Sequence, residues 1–264
     1  MTSLPTSPSL ERFSRIVKGS RNPSIGYWEY LPAGYGLGNK WPLILYFHGL
    51  GDNGNSDLYR VLYTGPPNLI SEDKWPITAT ASNAASTAGD AFVVLSMQND
   101  SGCLTADKVN DFMRWAINEY DVDITRIYLS GYSCGGGGVW NYIGKYISDD
   151  LVAAAVPVAA LMGEYTWNRL GCNMGIIPIW AFHGDEDYVT VRNANIPIDG
   201  LNNCTNECPE DTDLEICSVP LDARKTIFRG WGHGIWPITY KLDSRWGHDI
   251  YAWMLSHMNS DAKL

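Results

Sequence analysis

The run Arg126-Ile127-Tyr128-Leu129-Ser130 passes without a break into Gly131-Tyr132-Ser133-Cys134-Gly135, and three more glycines follow. β-Branched and aromatic residues favour an extended strand. Glycines on both sides of a serine then permit a turn so tight that a side chain at either flank would collide, with the serine hydroxyl thrown outward. By itself Gly-x-Ser-x-Gly is a weak signal. Of the 264 residues 26 are Gly, and about one such chain in five carries the pattern by chance. The strand in front and the helix-compatible residues behind give it weight. A turn of this kind belongs at the carboxyl end of a buried strand in an open α/β sheet, where reactive groups gather.

The rest of the sequence has the alternation that such a sheet requires. Ile25 to Leu31, Leu43 to His48, Ala91 to Met97, Ala153 to Val158, Pro178 to His183 and Lys225 to Arg229 read as further strands. Several are continuous apolar runs, suited to burial on both faces. Thr105 to Tyr120 places Val109, Phe112, Met113, Ala116, Ile117 and Tyr120 on one helical stripe. Helices are also expected over Val139 to Ile147, once the glycine run ends, and over Asp243 to Met258. Strands alternating with helices imply crossover connections, hence an α/β fold with a mostly parallel central sheet and helices on both faces. No repeat or long linker interrupts the pattern. Residues 1–264 therefore read as one domain, with 1–20 a loose N-terminal segment.

Charge and cysteine content narrow the surroundings. A net charge of −10 with scattered basic residues argues against a nucleic-acid partner, which needs clustered Lys and Arg. No stretch of about eighteen apolar residues is present, so no membrane span is expected. Of six cysteines, Cys204, Cys208 and Cys217 crowd into residues 202–217, while Cys103, Cys134 and Cys172 stand apart. The 202–217 stretch reads as a surface loop insertion stapled by a disulfide. An even count with a local cluster points to a secreted or periplasmic protein, a cytoplasmic one with reduced thiols being the alternative. Met1 to Ser9 has none of the regions of a signal peptide, so a secreted chain would have lost its leader.

A serine near its free pKa is a poor nucleophile and needs a general base. In the order set by the turn, an acid and then a histidine should follow Ser133 on later strand-end loops. After Pro178 to His183 comes Gly184-Asp185-Glu186-Asp187. Asp185 is placed to close the turn itself, whereas Asp187 lies far enough out to reach an imidazole, so Asp187 is preferred over Asp185 and Glu186. Of five histidines, His48 and His183 sit at strand ends, and His248 and His257 fall in the expected terminal helix. That leaves His233, in Gly230-Trp231-Gly232-His233-Gly234, as the preferred base with His248 as its rival. Oxyanion donors are expected from the backbone N–H of Cys134 and of Leu50, the latter in His48-Gly49-Leu50-Gly51-Asp52. Trp231 and Trp236 bracket His233 and are candidates to wall a substrate pocket. No cofactor or metal is called for: no second histidine stands at ligand spacing from His183, Asp185 and Asp187.

His48-Gly49-Leu50-Gly51-Asp52 and His183-Gly184-x-x-Asp187 resemble signatures of the phospholipase/carboxylesterase and acyl-protein thioesterase branch of α/β-hydrolase-fold enzymes. Gly230-x-Gly232-His233-Gly234-x-Trp236 and Asp123-Ile124-Thr125-Arg126-Ile127-Tyr128-Leu129-Ser130-Gly131 are similar to the esterases described as predicted peptidases, relatives of polyhydroxybutyrate depolymerases and feruloyl or acetylxylan esterases. The likeness runs from about Leu43 to Trp253. It implies the α/β-hydrolase fold, Ser133, Asp187 and His233 as a triad, and the Leu50 and Cys134 amides as the oxyanion hole. Two departures stand out: Cys at position 134, and the cysteine-rich 202–217 stretch. The expected activity is serine carboxylester hydrolysis. A peptidase or amidase on the same triad, a polyester depolymerase and an inactive binding module are the alternatives.

Overall fold

The computed structural model describes residues 8–22, 24–54, 57–75, 91–204, 222–242 and 245–263. Among these, eight strands form one sheet: β1 Phe13–Ile16, β2 Tyr27–Tyr30, β3 Trp41–Phe47, β4 Val93–Met97, β5 Val122–Tyr132, β6 Ala154–Val158, β7 Ile179–Gly184 and β8 Ala223–Phe228. They lie in the order β1-β2-β4-β3-β5-β6-β7-β8. β2 runs antiparallel to both β1 and β4, and every pairing from β4 to β8 is parallel. The helices are α1 Pro8–Glu11, α2 Gly65–Ser71, α3 Ala106–Glu119, α4 Cys134–Tyr146, α5 Gly163–Leu170, α6 Arg192–Asn202, α7 Trp236–Tyr240 and α8 Ile250–Leu255. Among the described residues no helix is long and apolar enough to cross a membrane.

The continuous apolar strands are explained by two cores, one on each face. Along β3, Leu43, Leu45 and Phe47 point into the core shared with α3, α4 and α6, while Ile44 and Tyr46 point into the core shared with α2, α7 and α8. The period-2 alternation of a strand thus divides one apolar run between two layers. The stripe on α3 is buried as expected, and Thr105 caps that helix by accepting from the Lys108 N–H.

Three expectations need correction. Residues 13–16 belong to an edge strand rather than to a loose segment, held by the β2 ladder and by Phe13 stacked on Trp28 at 4.6 Å. α4 begins at Cys134, so the glycine run lies inside the helix instead of before it. Glycine costs about 1 kcal/mol in a helix relative to alanine, but close packing outweighs it here. A Cβ on Gly136 would sit 2.5 Å from Ala160 Cβ, and one on Gly138 2.8 Å from Leu104 Cβ. The closing helix is only Ile250–Leu255, because the Asp249 carboxylate accepts from the Tyr251 and Ala252 N–H groups and starts the helix there.

The cysteine spacing left the pairing open, and the structure shows two bridges among the described residues. Cys204 bridges to Cys172, outside its own cluster, tying the end of α6 to the 3₁₀ segment Gly171–Ile176. Cys103 bridges to Cys134. Cys208, Cys217 and the rest of the 205–217 stretch lie outside the described residues.

Leu45 is fully buried on β3, one of the two central strands. Leu45→Ala should cost about 2–5 kcal/mol from lost transfer energy and the residual cavity, read in urea as a lower midpoint at unchanged slope.

Candidate active site

The register of the sheet brings the candidate residues together. Phe47 at the end of β3 pairs with Gly131 of β5, so the Gly49–Asp52 loop lies beside the turn at Ser133. Ser133 has φ 56 and ψ −118, a conformation that costs a non-glycine residue about 1–3 kcal/mol and persists only where its surroundings enforce it. They do. The Ser133 N–H donates to Val158 O at 2.8 Å, its carbonyl accepts from Gly137 N–H at 2.9 Å, and Gly135 lies against the end of β3. A Cβ on Gly135 would lie 2.0 Å from Phe47 O, and one on Gly131 would lie 2.4 Å from the Gly135 carbonyl. The sequence pattern is therefore a record of two backbones in contact.

Ser133, His233 and Asp187 form one hydrogen-bonded line. His233 Nε2 is 2.8 Å from Ser133 Oγ, and Nδ1 is 2.9 and 2.8 Å from the two Asp187 oxygens. With Nδ1–H donating to the carboxylate, Nε2 is free to accept the serine proton. Asp187 comes from the loop after β7 and His233 from the loop after β8. The Asp187 side chain is fully enclosed and also accepts the Val189 N–H at 2.8 Å. Asp185 accepts from the Gly230 N–H at 2.7 Å, which closes the neighbouring loop and takes it away from the histidine. Glu186 is exposed.

The other histidines are occupied elsewhere. His248 is buried among Phe182, Trp180 and Phe228, with Nε2 donating to Thr239 O. His257 lies 3.0 Å from Asp222. His48 is held by two backbone groups: its Nδ1–H donates to Gly49 O at 2.7 Å, and its Nε2 accepts the Asn99 N–H at 2.9 Å. His183 donates from Nε2 to Val189 O at 2.8 Å and passes 3.3 Å from Asp187 Oδ2, bracing the carboxylate from below. Burial lowers the pKa of both His48 and His183, so each stays neutral.

Leu50 opens a short 3₁₀ turn, Leu50–Asp52, and Cys134 is the first residue of α4. Among the described residues neither N–H donates to a protein acceptor. Asp52 closes that turn onto the Gly49 carbonyl and accepts from Thr64, and burial raises its pKa. The rings against His233 are two that the sequence pattern did not single out. Tyr132 packs at 5.1 Å and donates its hydroxyl to His233 O, and Tyr188 packs at 4.4 Å while 82% exposed. Tyr132 is the variable position of the Gly-x-Ser turn, and Tyr188 directly follows Asp187; adjacency was the one available signal. Trp231 is partly exposed and faces Trp246. Trp236 packs half-buried into the core under α7, with Lys241 over its ring. Among the described residues no group of three His, Cys, Asp or Glu side chains converges as a metal site.

No family model matches the chain, and no curated protein does. Solved structures do. They include a thermostable esterase with a TM-score of 0.66 and 22% identity, covering 95% of this chain. The chain spans 64% of the length of that esterase. They also include a ferulic acid esterase (TM-score 0.55, 14% identity, 88% of this chain and 97% of the other). A third is an acetyl xylan esterase from Aspergillus awamori (TM-score 0.53, 14% identity, 84% and 93%). At such identities the likeness is one of architecture: the chain has the α/β-hydrolase fold.

Two outcomes follow from these contacts. Gly135→Ala should distort the serine turn and lower soluble yield or melting temperature, whereas Gly51→Ala, where a Cβ meets nothing within 4 Å, should do neither. Acid should also loosen the fold. Native His48 and His183 resist protonation while the unfolded chain takes up protons, so unfolding free energy should fall as pH drops through the ordinary histidine value near 6.5. The slope should flatten in His48→Gln, measured by urea unfolding at stepped pH.

Proposed function

We propose that the chain is a serine carboxylesterase, forming an acyl-enzyme on Ser133, with short-chain acyl or carbohydrate-linked esters as its substrates. The observation that carries this reading is the aligned Ser133–His233–Asp187 hydrogen bonds on a strained serine turn. His233 Nε2 takes the Ser133 proton as Oγ attacks the ester carbonyl, and Asp187 steadies the imidazolium that results. The Leu50 and Cys134 amides meet the oxyanion, the moment at which fixed donors are worth most. His233 then returns the proton to the leaving alcohol. Water repeats the cycle on the acyl-enzyme, releasing the acid.

The fold neighbours named as esterases of ferulic acid and acetyl xylan support the ester class. Exposed Tyr188, Leu50 and Trp231 around the turn and the acidic strand-end loop suit an uncharged, partly aromatic or carbohydrate-bearing substrate. The two disulfides fit an exported protein.

A panel of nitrophenyl esters of rising chain length, with feruloyl, acetylated-sugar and peptide substrates, tests the reading. Wild type should turn over the esters and not the peptides. Ser133→Ala and His233→Ala should each lose at least about 10³-fold in kcat, and His248→Ala should lose little. Ester turnover that survives Ser133→Ala, or its absence in wild type, overturns the proposal.

A further inference from the structure

The segment between β4 and α3 touches both sides of the oxyanion hole, and it does so by different means. On the Leu50 side its grip is polar. The Asn99 N–H donates to His48 Nε2, whose Nδ1–H in turn fixes the Gly49 carbonyl. Gln98 Nε2 donates to Asp52 O at 3.3 Å, Asn53 Nδ2 donates to Gly102 O at 3.0 Å, and the Gly54 N–H donates to Asn99 O at 3.3 Å. On the other side the grip is covalent: Cys103, four residues on from Asn99, is bonded to Cys134.

The segment is itself stiff. Asn99 Nδ2 donates to Ser101 O and Gly102 O, and Lys108 Nζ donates to Asn99 Oδ1. Its far end is pinned where Asn141 Nδ2, on α4, donates to Leu104 O. One short piece of chain therefore spans the two amides that must face a single oxygen atom.

We propose that residues 98–104, anchored by the Cys103–Cys134 bridge, form the positioning element that fixes the spacing of the Leu50 and Cys134 amides, so that full turnover requires the bridge to be closed. The proposal rests on the esterase reading above. Neither cysteine touches the reacting atoms; they act through the amide of Cys134. Loss of one oxyanion donor typically costs about 10²–10³-fold in kcat, and a displaced donor costs part of that.

The second bridge supplies the control. Cys103–Cys134 and Cys172–Cys204 separate by 31 and 32 residues, so their loop-closure contributions to stability are matched. Cys103→Ala/Cys134→Ala and Cys172→Ala/Cys204→Ala are compared with wild type for kcat, KM and inhibition by an alkyl boronic acid. That inhibitor adds to the serine oxygen and places a tetrahedral oxygen where the oxyanion forms.

The first variant should lose about tenfold or more in kcat, keep KM within about threefold, and bind the boronic acid correspondingly more weakly. The second should keep wild-type kcat and boronic acid affinity. If the first variant fails to fold, dithiothreitol is applied to the folded Cys172→Ala/Cys204→Ala protein, where exposed Cys103 is open to attack. Two electrons and two protons pass to the bridge, dithiothreitol closes to its cyclic disulfide, and the same kcat loss is expected, reversed by reoxidation. Unchanged kcat and boronic acid affinity on opening the bridge, or an equal loss in both double variants, overturns the proposal. Absence of ester turnover in wild type removes the esterase reading itself, and the proposal with it.

Discussion

Gly135 lies against the carbonyls of Phe47 and His48 so closely that no side chain fits between them. The rest of the site depends on this contact of helix start with strand end. It lets α4 begin immediately after β5, and that abrupt reversal forces Ser133 into a left-handed backbone with its hydroxyl outward. The same contact sets Cys134 beside the loop that carries Leu50, since both follow from where β3 and β5 end. Two layers of apolar side chains hold those strands in register, and the strain at one residue is borne by the whole sheet.

Around that fixed point the remaining groups are held by backbone more than by side chains. His48 reads two main-chain groups, Asp187 accepts an N–H from Val189, and Asp185 ties the β7 and β8 loops through Gly230. Main-chain partners are insensitive to sequence. The loops can therefore vary in the residues they present outward, such as Tyr188 and Trp231, while the arrangement beneath them stays put.

Much of this was legible in the sequence, for identifiable reasons. The strands of the parallel part announce themselves because burial on both faces demands unbroken apolar runs, and the serine turn does so because close backbone contact demands glycine. Asp187, set apart from Asp185 by its distance from the strand end, and His233, left once the other histidines were assigned, are brought within hydrogen-bond reach of each other. What escaped depends on partners remote in the chain. The strand at 13–16 is half-exposed and held by an edge ladder, which leaves no pattern. The glycine helix looked like a loop because its cost is offset by packing against residues that the local sequence does not reveal. Spacing left the cysteine pairing open, because a bridge obeys proximity in space, and Cys204 is bonded to Cys172, remote from its own cluster. Tyr132 and Tyr188 pack on His233 from other loops, and only adjacency to Ser133 and Asp187 could have marked them.

Ser133 follows directly on β5, one of the two central strands, but His233 hangs from β8, which among the described residues pairs with β7 alone and forms one edge of the sheet. The two ends of the Ser133–His233 hydrogen bond are thus mounted on parts of unequal rigidity. An edge strand opens at lower free energy than the sheet it borders, and fraying there would carry the imidazole off without disturbing Ser133 or its turn. Warming or mild denaturant would then part Ser133 from His233 while nearly all of the structure remained, and cooling would bring them together again. In such a chain the loss of the esterase activity proposed above would mark the peeling of one border, well short of the collapse of the fold.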